Sequence, residues 1–551
     1  MNKFRITILS LAGLAMGASL TGCAESFLDV ESKTESTTGN YYKTEGDAYR
    51  ALLGCYDGWR RTQSAGGITF PLASVLMSDE TFGGGGMGDA RNYQIIDRFD
   101  MTQAPAYVDL YESDWKRYYE AIYRCNELIN KEEQIQWKEG GNNRGTFMGE
   151  ARTIRAICYF DLVRLFGNVP LLLEASQENL PQAPAADVYK AIFDDLRYAI
   201  ENIPPDAYPK SQAAVNDGHM TKFAAEALLA RAYLFYSGYY GQEPEGVTKQ
   251  DALDACEDVI ANSGCSLVKD FKTLWAASSL VPMPDGSKGW DPSSTYAGEA
   301  NSEVVLQMKF TPSQDYNGND DSNRWQVNAG MRGMIHPPYH KGWGLFTATP
   351  HYVDKFPSND LRREASVIDF EAEGITNDDD YESAMKDWRE FTGYVMKKYS
   401  PISFADETPA SRPDGTGDFM TQNTQPWVVV RLADVYLMAA ELGSANASKY
   451  FNAIRERAGY TDVLAPTKEN IMKERALEFA FEGLRYWDLL RTGVDNAARE
   501  IAASSGKVIS GTADDYVTII EKNIVTTKGL SQIPNSQITL SNGVLKQNAG
   551  W

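Results

Sequence analysis

Apolar residues return at three- and four-residue steps through eight stretches of this 551-residue chain, and the stretches come in pairs. DAYRALLGCYDGWRR (47–61) is followed, across a glycine-rich loop, by 107–131, which contains WKRYYEAIYRCNELIN. GEARTIRAICYFDLVRLFG (149–167), stopped by Gly167 and Pro170, precedes ADVYKAIFDDLRYAIENI (186–203). MTKFAAEALLARAYLFYSG (220–238) precedes KQDALDACEDVIANSG (249–264), and RLADVYLMAAELG (431–443) precedes SKYFNAIRERAG (448–459). This is the period of a helix that buries one face. Ala224, Ala225, Ala227, Ala230 and Ala232 add the small contact residues that let neighbouring helix backbones approach. The predicted fold is therefore mostly α: four tetratricopeptide-like helix pairs, degenerate because the strict repeat consensus is not met, sharing one long core.

The pattern changes between residues 265 and 430. Pro, Gly, Asn and Asp become dense, helical periodicity fails, and short apolar runs such as Val304–Met308 read as strands. A large loop-rich insert with short strands, placed on a rigid helical scaffold, is where binding residues concentrate. The division predicted is 1–22 leader peptide, 23–264 extended segment and first three helix pairs, 265–430 ligand-binding lobe, and 431–551 last pair with a C-terminal region. In that region ERALEFAFEGLRYWDLLRTG, Glu474 to Gly493, reads as one helix with Glu474, Glu478, Glu482 and Asp488 threaded among Arg475, Arg485 and Arg491. Acids and bases at such spacing serve pairing and packing in a crowded apolar face, rather than catalysis.

The first residues bear on compartment. Lys3 and Arg5 precede an apolar stretch, Ile6 to Leu20, and Leu20-Thr21-Gly22-Cys23 offers the small residues of a lipoprotein signal-peptidase site. Cleavage would leave Cys23 as an acylated N-terminus holding the chain at a membrane surface. The stretch is shorter than the roughly 20 residues a membrane span needs. Without residues 1–22 the formal charge of -22 moves to about -24, which opposes binding to nucleic acid. Thirty Tyr and 11 Trp exceed what a core alone uses, so some should face solvent as flat binding surfaces. Cys55, Cys125, Cys158, Cys256 and Cys265 form no disulfide framework; the first three lie in helical patterns as small hydrophobes.

Candidate chemistry is sparse. GGGGMGD (83–89) has phosphate-loop glycines but Asp89 where the lysine belongs. His336 and His340 are separated by Pro337 and Pro338, which prevents a helical metal face. DYNGNDDSN (315–323) alternates oxygen ligands but lacks the Gly and Glu of a helix-loop-helix calcium loop, so only a loose calcium site is expected there and no cofactor otherwise. No nucleophile elbow or Ser/Lys motif is present. A hydrolase assembled from distant carboxylates has no positive feature in its favour.

The chain resembles the SusD/RagB family of surface lipoproteins. The residues carrying the resemblance are the lipobox followed by FLDV (27–30), YYKTEGDAYRALLGCYDGW, WKRYYEAIYRCNELIN, GEARTIRAICYFDLVRLFGNVPLL, KFAAEALLARAYL, GWGLFTATPHYVDKFPSNDLRR (342–363), VVVRLADVYLMAAE, ERALEFAFEGLRYWDLLRTG and the terminal IPNSQITLSNGVLKQNAGW. Gln537, Ala549 and Trp551 depart from the usual Glu, Pro and Tyr of the last motif. The resemblance implies a non-enzymatic, lipid-anchored protein on the outer-membrane surface that captures an oligosaccharide and delivers it to a SusC-like TonB-dependent transporter barrel. It places ligand contacts in the early loop MGDARNYQ, at Asp89, Arg91, Asn92 and Tyr93; Trp290, Tyr296 and Trp325 of the insert are added as stacking platforms. Two other functions are carried beside it: a peptide- or protein-binding helical scaffold, and a surface glycoside hydrolase.

Overall fold

A computed structural model describes residues 41–64, 67–174, 176, 178–313, 321–412 and 417–551. The leader, Cys23 and FLDV lie outside these residues. All four expected helix pairs form: Glu45–Ser64 with Glu112–Asn130, Asn143–Phe166 with Ala185–Asn202, Lys222–Tyr240 with Lys249–Asn262, and Leu432–Leu442 with Ala447–Arg457. The five alanines of the Lys222–Tyr240 helix are fully buried, and this helix also packs on Ala185–Asn202, so consecutive pairs share one core. At the helix boundaries the Thr248 hydroxyl and the Asp251 carboxylate form a reciprocal capping box, and Gly443 closes its helix at φ 92°. Mostly helical architecture with small sheets is what the periodicity predicts.

The insert leaves and rejoins the scaffold through an antiparallel ladder of Val304–Met308 with Trp427–Arg431. A second sheet contains four short strands, ordered Thr81–Phe82, Thr347–Ala348, Tyr394–Met396 and Val367–Asp369. Its first strand comes from the N-terminal region and the other three from the insert, so the early glycine loop is tied to a lobe more than 250 residues away in sequence.

The expected continuous helix over 474–493 is two helices, Lys468–Glu478 and Arg485–Leu490. Phe481 (φ 60°) and Gly483 (φ 77°) turn the chain between them, and the turn is held by Glu80, whose carboxyl accepts the Phe481 N–H at 2.5 Å. The acids of this stretch are paired, but Glu474, Glu478 and Glu482 take cations of distant segments rather than Arg475 and Arg485 of their own run, while Asp488 takes the local Arg475 and Arg491. Arg431 reaches Glu303 (2.9 Å), Glu478 (2.5 Å) and Glu482 (2.9 Å), Arg362 reaches Asp360 (2.6 Å) and Glu474 (2.6 Å), and Lys398 reaches Glu482 (2.7 Å). Arg485 pairs with Asp79 at 2.8 Å, and Arg475 with Asp434 at 2.5 Å. Burial alone would raise the Glu478 carboxyl, but Arg457, Arg431 and Arg362 more than offset it and hold it well below the usual range.

Candidate ligand-binding site

The early loop is shaped by backbone packing. Thr81 and Phe82 pair with Ala348 and Thr347, after which Gly85 N–H donates to the Gly344 carbonyl at 2.9 Å. A Cβ on Gly84 would stand 2.4 Å from that same carbonyl, and Gly84 adopts φ 61°, so the glycine run serves a close approach of two chain segments. Trp388, fully buried, donates its indole N–H to Gly344 at 2.8 Å and locks the underside.

Beyond the glycines the loop rises to the surface and its polar groups meet charges of the insert. Asp89 accepts from Gly86 N–H (2.7 Å) and lies 3.6 Å from Arg332, whose guanidinium also holds Asp387 at 2.7 Å. Arg389 donates to the carbonyls of Met87 and Asp89, at 2.8 and 2.9 Å. Buried Glu390 takes Arg98 at 2.5 Å and Gln94 at 3.2 Å. Arg91 is left with only a 3.6 Å approach to Glu390, and its side chain is 45% exposed. Asn92 opens the Asn92–Arg98 helix, and half-buried Tyr93 packs on the main core. Burial, together with the neighbouring charges of Arg91 and Arg98, lowers the Arg389 guanidinium. Four arginines, Arg91, Arg98, Arg332 and Arg389, thus stand among three carboxylates, Asp89, Asp387 and Glu390, with Arg91 the most loosely held cation of the group.

The aromatic candidates separate. Trp290 and Tyr296 are half-buried against a second hydrophobic cluster, Trp290 resting on Phe404 at 4.9 Å between ring centroids. Trp325 does not reach the surface: it is 1% exposed, with its ring 4.2 Å from that of Tyr399 in the main core. A ring so covered has no face for a sugar, and Trp325 is corrected to a core residue, buried by the Arg324–Ala329 helix that the insert's loop-like composition concealed. Trp343 is half-buried and packs against the main core; Arg324 lies 5.0 Å over its ring, and its carbonyl lies 3.5 Å from Arg332. Arg332, Asp387 and Arg389 carry no sequence signal, because only the sheet brings them beneath the early loop. The Gly506–Ser510 and Ala513–Val517 hairpin completes the surface, with Gly511 N–H on the Trp388 carbonyl at 2.8 Å. Beside it a cleft of about 320 Å³ is lined by Tyr381, Tyr394, Lys507 and Asp514.

Other possible centres are accounted for by their own partners. Asp79, His351 and Glu500 converge closely enough to hold a metal ion, but the Lys355 ammonium lies 3.0 Å from His351 and also pairs with Glu500 and Asp79, so a cation already fills the centre. His336 pairs with Asp378 at 2.7 Å, while His340 contacts the Lys341 carbonyl, so the two do not converge. Most of the loose calcium candidate, 314–320, lies outside the described residues; Asp321 pairs with Arg60 at 2.5 Å, and Asn323 caps a helix. A cavity of about 560 Å³ is a groove on the scaffold lined by Trp115, Tyr119, Tyr123, Leu172 and Leu540, with no residue of the early loop in its lining.

Comparison with known proteins gives a consistent picture. Residues 362–551 match a family model described as the SusD family, and residues 87–234 one described as starch-binding, associating with outer membrane. A SusD-like protein of Bacteroides ovatus is 25% identical over 514 residues, covering 89% of this chain and 82% of that protein. A laminarin-binding SusD-like protein of known structure superposes with a TM-score of 0.70 at 26% identity, over 93% of this chain and all of its own. The surface glycan-binding protein A from Bacteroides thetaiotaomicron, in complex with laminarihexaose, shares the fold at 21% identity and a TM-score of 0.70, over 92% of this chain and 100% of that one.

Proposed function

The chain belongs to the SusD/RagB family, and on that premise we propose that it is a non-enzymatic binding protein for a neutral oligosaccharide. The observation that carries the reading is the joining of the early loop to the insert: exposed Arg91, with Asp89, Asn92, Tyr93 and half-buried Trp343, stands on a rigid sheet beside ion-paired arginines and carboxylates. Sugar hydroxyls need donors and acceptors side by side, and sugar C–H faces need aromatic rings. A relative of known structure that binds laminarin supports a β-glucan as the first ligand to try. Affinity electrophoresis and calorimetry against laminarin, starch and other polysaccharides test the reading. Arg91→Ala should weaken binding about tenfold or more. Absence of binding to every polysaccharide would reject it, and new reducing ends released by the purified chain would replace it with a hydrolase.

Acylated Cys23 would tether the protein at the outer membrane, and delivery to a SusC-like TonB-dependent barrel would complete uptake; the outer-membrane description of the family model supports that location. Labelled palmitate should enter the wild type and not Cys23→Ala, which should leave the membrane fraction. A transporter barrel should copurify with the anchored form. A peptide-binding scaffold is favoured by one feature, the apolar groove of about 560 Å³, and capture of peptides without any glycan affinity would favour that function instead.

A further inference from the structure

A separate cavity of about 340 Å³ opens on the scaffold between the Glu45–Ser64 helix, the Asp217–His219 turn and the end of the Val304–Met308 strand. It shares no lining residue with the early loop. Behind it the wholly buried Glu150 carboxylate, midway along the Asn143–Phe166 helix, accepts the hydroxyls of Tyr56 and Tyr208 (the latter at 2.6 Å) and the Nδ1–H of His219 at 2.9 Å. The His219 ring is further fixed by stacking on Tyr208, centroids 3.8 Å apart. With Nδ1 committed to Glu150, the half-buried imidazole offers Nε2 as its remaining hydrogen-bonding atom.

We propose that this cavity is a second ligand site, for a neutral, polyhydroxylated sugar unit. Two features select that chemistry. Tyr49 and Leu53, 45% and 47% exposed, supply an open apolar wall of the kind a sugar's C–H face covers. The rim cations are already neutralised, Arg60 by Asp57 at 2.6 Å and Lys309 by Asp217 at 2.8 Å, so no surplus charge favours an ion, while donors and acceptors alternate for neighbouring hydroxyls. The volume lies at the small end of ligand pockets, which begin at about 300 Å³.

The chain has only four histidines, which makes the test direct. Full-length protein carrying ¹³C-labelled histidine is titrated with methyl glucoside, maltose, cellobiose and, for comparison, glucuronate, and His219→Gln identifies the His219 ring signal. A neutral sugar should shift that signal saturably, with a Kd on the order of a millimolar. Tyr49→Ala, an exposed truncation that spares the core, and Leu53→Trp, which fills the mouth, should each weaken the response about tenfold or more. Arg91→Ala, which removes the insert site, should leave it intact, so the two sites fail or succeed separately. No shift with any neutral sugar, a shift with glucuronate alone, or a shift unchanged in both cavity variants would overturn the proposal.

Discussion

Glu80 is wholly buried, and its carboxyl is pushed up to about 8 by that burial, against the opposing hydrogen bonds of Phe481 N–H and Ser78. At neutral pH it is mostly protonated in the folded protein but ionised in the unfolded chain, so Glu80→Gln, which keeps an acceptor for Phe481 and cannot ionise, should raise the unfolding midpoint. Glu80→Ala strands that N–H and should cost about 1–3 kcal/mol in denaturant titration. Because the folded carboxyl titrates above its ordinary 4.5, its stabilising contribution is complete below that value and lost as pH rises through about 8. The Gln variant should remove this slope from stability measured across that window. Residue identity alone hides such roles. Trp325 and Trp343 sit in similar Gly- and Asn-rich surroundings, yet one is sealed in the core and the other half-open, because burial depends on which distant segment covers each ring.

The helix pairs were legible because each carries its own period and its own stop signals, and the buried alanines of Lys222–Tyr240 marked their contacts. The continuous helix expected over 474–493 failed for the opposite reason: its break is stabilised by Glu80, 401 positions away, and no local propensity reports it. The early loop combines both cases. Its residues were identifiable, but its support by Arg332, Trp388 and Arg389 was not, since that depends on a sheet whose strands are 2–3 residues long. Gly84→Ala, which would put a Cβ against the Gly344 carbonyl at positive φ, should destabilise the fold by about 1–3 kcal/mol and weaken glycan binding in parallel. Gly88→Ala, with no atom within 4 Å of its Cβ, is the neutral control in the same melting and binding measurements.

Across the whole molecule, buried ion pairs connect insert, scaffold and C-terminal region at Arg431, which touches acids at 303, 478 and 482. Arg431→Met leaves those carboxylates short of a partner in a dry interior and should cost about 3–5 kcal/mol in equilibrium unfolding. Glu478, held below its usual 4.5 by its arginines, contributes above that value, and the contribution is lost as pH falls below it. The variant should therefore show a flatter loss of stability in acid than the wild type. Domain-scale pairing of this kind leaves no periodic trace; the sequence shows only charges embedded in apolar runs. The sheet that joins residue 81 to residue 396 has a further consequence, in time. The chain emerges from the ribosome N-terminus first, so three helix pairs are made before the insert strands that pair with the early loop's own strand exist, and such long-range pairing is slow. The proposed glycan surface is a late product of folding, and a chain interrupted before residue 396 would present much of its scaffold without the completed surface proposed to hold a sugar.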